Sequence, residues 1–546
     1  MNIQATYDYI VVGAGSAGAA AAYRLAESGK HTVLLLEAGR ESHPWSRIPV
    51  GFAKLIDNPV ANWLYSSEPD EGSGGRRIPV PRGKLLGGSS SINGMVFTRG
   101  QRQDFDIWSQ LGNRGWSYED VLPIFRDMED YEGEADENFR GRGGVLKVNE
   151  SIEKGPLYEA IMNGAEQVGI NRAPDYNGEF QDGIAMSQTT IRHGRRMSTA
   201  YCYLHPAKNW PNLTVQTHAL TEKLLIEGKR CTGVRYAVKG EMREATAARE
   251  VLVSAGTINS PQLLELSGIG QAERLQGLGI EVVHELKGVG ENLRDHYAPR
   301  MKWSVPKSLA LTYNVKGRGP RVVWEALKYL FTDKGLLGIT AAPLRAYIRT
   351  RAGLEAPNAV IGWVPFLVGD NFTLAKESGV TAFMHILRSE SQGSIHVLSA
   401  DAKQAPEIRF NFLSAQLDSD VTIEAMRTAR RIMTAPALDG IVTDETVPGI
   451  DLDKDDELLD WVKKNAETTY HPVGTCKMGN DPMAVVDDQL HVHGITGLRV
   501  ADASIMPTLT SGNTNAPSIM IGEKASRMML ADAGGRWRTL RRKVGT

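Results

Sequence analysis

Tyr7-Asp-Tyr-Ile-Val-Val-Gly13-Ala-Gly15-Ser-Ala-Gly18, followed by four alanines and Tyr-Arg-Leu25, decides how the rest of this chain is read. An apolar β-rich run, a Gly-x-Gly-x-x-Gly turn and a helix-forming segment follow in the order a dinucleotide-binding βαβ unit requires. Gly13 permits the tight turn, Gly15 lets the backbone approach a pyrophosphate, and Gly18 lets the helix pack closely on the strand. A diphosphate belongs at that helix N-terminus, where free N–H groups and the helix dipole favour an anion. After Gly29 a second strand-like run, His31-Thr-Val-Leu-Leu-Leu36, ends in Glu37, 24 residues past Gly13. An acceptor for the adenosine ribose hydroxyls belongs there. Each signal alone is weak, and their order makes the set specific.

The 546 residues suffice for two to four domains with a substantial core. Lys plus Arg (62) nearly balances Asp plus Glu (64), so nothing argues for nucleic acid as a partner. Cys202, Cys231 and Cys476 are odd in number and widely spaced, which suits a reducing, cytoplasmic compartment and no disulfide framework. No apolar run approaches the ~20 residues of a membrane span. The apolar stretch Tyr9–Tyr23 lacks a basic flank and has Asp8 at its front, so it reads as structure and not as a signal peptide.

Two further segments are rich in glycine and small residues: Arg82-Gly-Lys-Leu-Leu-Gly87-Gly88-Ser-Ser-Ser-Ile-Asn93-Gly-Met-Val96 and Ala255-Gly-Thr-Ile-Asn-Ser260-Pro-Gln-Leu-Leu-Glu-Leu-Ser-Gly268. The first reads as a loop held close to a ligand. In the second, Pro261 and Gly268 predict a short helix starting at the proline and ending at the glycine. Ala382–Leu387 and Gly393–Leu398 show β-like alternation, and Thr422–Met433 has a helical pattern.

These segments resemble the glucose–methanol–choline oxidoreductases, a family of flavoenzymes. Gly288-Val-Gly-Glu-Asn-Leu-Arg-Asp-His296, Tyr470-His-Pro-Val-Gly-Thr-Cys-Lys-Met-Gly479, Val500-Ala-Asp-Ala-Ser-Ile-Met-Pro507 and Gly512-Asn-Thr-Asn515-Ala-Pro-Ser-Ile-Met-Ile-Gly-Glu-Lys524 extend the likeness over nearly the whole chain. The resemblance implies an α/β fold: a Rossmann-like FAD-binding domain with an α+β substrate domain on an antiparallel sheet. FAD-domain segments are expected at 1–155, 200–298 and 463–546, with substrate-domain segments at 156–199 and 299–462. The cofactor implied is FAD, with Ser16 and Ala17 at the diphosphate and Glu37 and Ala38 at the ribose. Trp63 and Thr221 fall to the adenine half, Asp502 and Ala503 to the diphosphate and ribityl region, and Gly88, Asn93, Gly94, Met95 and Val96 to the isoalloxazine. Some relatives carry a histidine between Ser91 and Asn93 that bonds the flavin covalently. Ile92 cannot, so FAD is expected non-covalently.

The family's catalytic pair falls on His471 and Asn515. An alcohol with a pKa of ~16 ionises at neutral pH only against a positioned base, which a neutral imidazole supplies. An asparagine amide can hold the same oxygen over the flavin. The reaction implied is oxidation of a primary alcohol to an aldehyde, with oxygen or a quinone as acceptor. Choline- and alkanol-oxidising relatives carry a glutamate followed by small residues where Pro343 stands, and Arg345 follows two residues on, which counts against a cationic substrate. Tyr470, Trp363 and Phe366 are candidate pocket aromatics. His491, His493, His385 and His396 read as sheet or surface residues, and no metal is expected. Ala14-Gly-Ser16-Ala-Gly18 is one residue from a hydrolase nucleophile elbow, a rival that leaves the later motifs unexplained. The basic Arg536-Trp-Arg-Thr-Leu-Arg-Arg-Lys543 reads as a solvated tail, with weak contact to anionic lipid of the inner membrane as the alternative.

Overall fold

The computed structural model describes residues 5–134, 136–369 and 373–534. The basic segment 536–543 lies outside them. Strand Ala5–Val12 is the centre of a mixed sheet. It pairs in parallel with Val33–Leu36 on one side and Glu241–Val253 on the other. Leu213–Gln216 extends the sheet beyond Val33–Leu36, also in parallel. On the other flank, Arg230–Val238 and Ala219–Glu227 form an antiparallel meander. The late strand Leu498–Val500 pairs with the end of Glu241–Val253. Strands buried on both faces read as near-continuous Val, Ile and Leu, as Ile10–Val12 and Val33–Leu36 do.

Helix Ser16–Glu27 leaves Gly15 with no side-chain cap, so the first-turn N–H groups are free for a ligand. It packs along the helix Asn515–Asp532. A Cβ on Gly522 would come within 2.2 Å of the Ala17 carbonyl oxygen, so only glycine permits this approach. Arg24 and Glu523 close the same interface with a buried 2.8 Å ion pair.

A second, six-stranded sheet runs Glu445–Val447, Arg300–Ser304, Gly379–Ile386, Ala359–Val364, Leu344–Ile348, Gly183–Met186, antiparallel throughout. Helix Gln416–Met433 packs on its strands Gly379–Ile386 and Ala359–Val364, burying Val421, Ala425, Met426 and Ile432. The helical pattern at Thr422–Met433 therefore marks only the C-terminal two-thirds of the element.

One expectation fails in detail. The helix predicted from Pro261 instead spans Gly256–Leu266 and carries Pro261 inside it. Proline removes the N–H that would have bonded the Thr257 carbonyl. That carbonyl accepts from Thr475 Oγ1 at 2.6 Å instead, which lets the helix run through the proline.

Candidate active site

The two sheets enclose a cavity of about 1370 Å³. Gly13, Gly15, Ser16, Ala17, Glu37, Ala38, Trp63, Gly88, Asn93, Gly94, Met95, Val96, Thr221, Asp502, Ala503, His471 and Asn515 all line it. Gly18 does not: a Cβ there would strike the Gly13 carbonyl at 1.9 Å, so this glycine packs the turn on itself.

The lining fits a dinucleotide on three counts. A Cβ on Gly15 would meet no protein atom within 4 Å, which leaves backbone-level room above the free helix N-terminus. Thr221 Oγ1 is buried without a partner among the described residues. Glu37 is buried and accepts from the N–H groups of Ala14 and Gly39, while burial pushes its carboxyl up to about 7. Asp502 caps its own turn through Ser504 N and accepts from Gly256 N and Ser260 Oγ, tying the late segment to the 256–266 helix. Ile92 lines the cavity between Ser91 and Asn93.

At the far end stands His471. Tyr470 before it has a φ of +69°, a left-handed conformation that a bulky residue adopts only when its surroundings enforce it. Here Thr468 Oγ1 accepts from Tyr470 N, Asp295 accepts from His471 N, and Arg82 donates to the Tyr470 carbonyl. The imidazole itself sits in a chain of bonds. His296 Nε2 lies 2.8 Å from the Leu387 carbonyl, which can only accept, so that nitrogen carries the proton. His296 Nδ1 is then an acceptor for His471 Nδ1 at 3.0 Å, with Thr469 Oγ1 at 2.9 Å from the same nitrogen. His471 Nε2 is left with its lone pair, 2.8 Å from Asn513 Nδ2. Burial first, then the neighbouring His296, His385, Arg82 and Arg345, pushes the His471 imidazole well below the usual histidine range. Burial brings His296 down to about 4, so the chain is neutral.

Sequence reasoning paired His471 with Asn515. The structure brings Asn513 to His471 instead and turns Asn515 away, where its Oδ1 accepts from Ser16 Oγ at 2.7 Å. Thr514 is the helix N-cap, and the two asparagines flanking it diverge. Ser16 thus donates to an amide oxygen, which is no base, and its hydrolase reading finds no basic proton acceptor among the described residues. Of the expected pocket aromatics, Tyr470 and Phe366 line the cavity, whereas Trp363 points into the core on the opposite face of its strand.

Sequence reasoning missed three residues. His296, inside a motif already singled out, stacks on His385 with centroids 4.1 Å apart. His385, read as an ordinary sheet residue, lines the cavity. Arg196, buried, donates to the carbonyl of Ser90 and to both oxygens of Asn93, and no local pattern announced it. Arg345 is also buried. Its Nη1 donates to Tyr347, Thr98 and Asn513 Oδ1, and it has no ion pair among the described residues. A guanidinium can only donate, so Asn513 must present its oxygen to Arg345 and its nitrogen to His471. His491 and His493 lie away from this site. His491 is beside Asp487, and His493 Nε2 is 2.9 Å from the Gly479 carbonyl.

The family model described as GMC oxidoreductase matches residues 7–298 and 389–522. An oxygen-dependent choline dehydrogenase of Pseudomonas fluorescens is 42% identical over 95% of this chain and 92% of its own length. That of Brucella canis is 40% identical over 96% and 95%. The solved structure of pyridoxine 4-oxidase from Mesorbium loti superposes with a TM-score of 0.86 at 29% identity, over 95% of this chain and 98% of that one. With the nucleotide turn, the two-sheet fold and a cavity that ends on a histidine, these likenesses establish that the chain belongs to the GMC oxidoreductases, FAD-binding enzymes that act on CH–OH donors.

Proposed function

We propose that this protein oxidises a primary alcohol to its aldehyde, with His471 as base and Asn513 as the second hydrogen-bonding group. The observation that carries this reading is the directed chain from the Leu387 carbonyl through His296 to His471, which fixes an unprotonated Nε2 beside the Asn513 amide. His471 Nε2 takes the hydroxyl proton, and Asn513 Nδ2 donates to the same oxygen and holds the carbon in place. The resulting imidazolium, formed where burial disfavours charge, stabilises the alkoxide beside it and releases the proton to solvent after the aldehyde has formed. FAD, when bound, supplies the acceptor for the hydride that leaves the carbon. Ile92 offers no atom for a covalent link, so acid or heat releases the cofactor intact; flavin that stays with the denatured chain overturns this point.

The test is anaerobic mixing of the holoenzyme with an alcohol panel. His471→Ala is expected to slow flavin bleaching by at least about 10²-fold with FAD retained, the scale of losing a general base. Near-normal bleaching removes His471 from the mechanism. Adding oxygen or a quinone analogue to the bleached enzyme then identifies the acceptor.

A choline-oxidising reading has the names of the relatives in its favour. Against it stands the electropositive end of the cavity, where Arg345 lies beside Asn513 without an ion-pair partner among the described residues. A quaternary ammonium needs an anion or an aromatic box. Losing a buried ion-pair partner costs about 3–5 kcal/mol, on the order of 10²–10⁴-fold. Benzyl alcohol or hexanol is therefore expected to exceed choline in kcat/KM by that order. A clear preference for choline overturns the substrate assignment.

A further inference from the structure

Helix Arg321–Thr332 is built inside out. At 100° per residue, Leu330, Val323, Leu327, Phe331 and Trp324 fall on one arc of about 120°. That arc faces solvent: Trp324 is 68% exposed, Leu330 69% and Phe331 83%. The side turned to the protein carries the polar groups. Glu325 is buried and accepts from Leu336 N at 3.0 Å, and Tyr329 donates to the Gly194 carbonyl at 2.7 Å. A helix of an ordinary soluble surface shows the reverse arrangement. A contiguous apolar face of this size marks an interaction surface.

Its charge surroundings say what the partner is. Across residues 307–334 the cations are Lys307, Lys316, Arg318, Arg321, Lys328 and Lys334, against only Glu325 and Asp333. Glu325 is buried, so the outward field is positive. Lys328 and Arg321 flank the apolar arc on one side, about 40° and 60° beyond Trp324 on the same wheel. A tryptophan, a phenylalanine and aliphatic residues beside lysine and arginine are what an in-plane helix presents to an anionic bilayer. Twelve residues are too few to span one, and no helix among the described residues is long and apolar enough to cross a membrane.

We propose that this helix docks the enzyme in the headgroup region of an anionic lipid bilayer. The position has a functional meaning. Gly317, Arg318, Val322 and Leu336 line the active-site cavity, and Arg318 and Val322 are at the same time exposed. The cavity therefore opens beside the first turn of the docking helix, where an alcohol dissolved in the bilayer can enter without crossing water. That last step rests on the alcohol-oxidising reading above; the docking itself is measured without turnover.

The experiment is flotation of the full-length holoenzyme with phosphatidylglycerol-containing vesicles, against pure phosphatidylcholine vesicles and at low and high salt. The enzyme is expected to float with the anionic vesicles, less so in high salt. Trp324→Glu combined with Phe331→Glu, both at outward positions, is expected to weaken binding at least about tenfold. FAD content and oxidation of a short, water-soluble alcohol should be unchanged. Arg321→Glu with Lys328→Glu keeps the apolar arc and should weaken binding to the anionic vesicles selectively. Wild-type enzyme that stays out of the lipid fraction overturns the proposal. So does an apolar-face variant that floats as well as wild type, which assigns binding elsewhere, residues 536–543 included. A wild-type dimer that the double variant converts to monomer, with no lipid binding, identifies the face as a self-association surface and also overturns it.

Discussion

Asn513 and Asn515 are separated by one threonine and bond to different partners, His471 and Ser16. Asn513→Ala is therefore expected to slow flavin reduction at least about tenfold with FAD bound, the scale of one donor to the developing alkoxide. Asn515→Ala removes one bond at the helix start and should lower stability by about 1 kcal/mol with a smaller effect on the reduction rate. Equal rate losses in the two variants contradict the pairing. A second expectation concerns pH. Protonation removes the lone pair on His471 Nε2, and burial first, then the neighbouring imidazoles of His296 and His385 and the guanidinium groups of Arg82 and Arg345, disfavours the protonated form. The base form thus persists as pH falls, and the acid limb of the reduction rate should lie below pH 6.5, the ordinary histidine value. Arg345→Leu removes one like charge and should move that limb upward; a wild-type limb above 6.5 counts against His471 as the base. The sequence motif held both asparagines, and the reading from sequence chose Asn515 where the structure sets Asn513 beside the histidine. Which one meets the histidine is decided by where the helix begins, and residues two apart around a helix start diverge by more than a right angle.

At the level of elements, the nucleotide turn was legible because each of its glycines answers a local steric demand. The contact between helices Ser16–Glu27 and Asn515–Asp532 was not, because its partners are nearly five hundred residues apart and Gly522 looks locally like a weak point in a helix. Its reason is tertiary. Gly522→Ala is expected to destabilise the protein by about 1–3 kcal/mol through overpacking against Ala17, despite the higher helix propensity of alanine. Thermal unfolding of the FAD-loaded protein measures it, and an unchanged or raised Tm shows that the helices have room to part. Pro261 misled for a similar reason. Proline most often opens a helix, and only the distant Thr475 hydroxyl explains how this helix continues through it.

Across the whole molecule, the three cysteines are buried, and burial pushes Cys202 up to about 11 and Cys231 up to about 12, with Cys476 well above its usual range. Native protein should therefore resist thiol alkylation at neutral pH, and all three sites should become reactive together on unfolding. Rapid labelling of any one in the native state would reveal local opening around it. The α/β fold with an antiparallel sheet beside the nucleotide-binding one was implied by the family resemblance, while the outward apolar helix at 321–332 was not, since an amphipathic pattern does not say which face meets the protein. The pairing of strand Leu498–Val500 with Glu241–Val253, and of the last helix with the first, has a consequence for how the chain is made. A polypeptide emerging from the ribosome presents its phosphate loop long before the strand and helix that close that loop's surroundings. Until they arrive, the alanine-rich helix lacks its cover and the cofactor cleft has only part of its walls. Completion of the cofactor cleft is thereby deferred until that strand and that helix have been made.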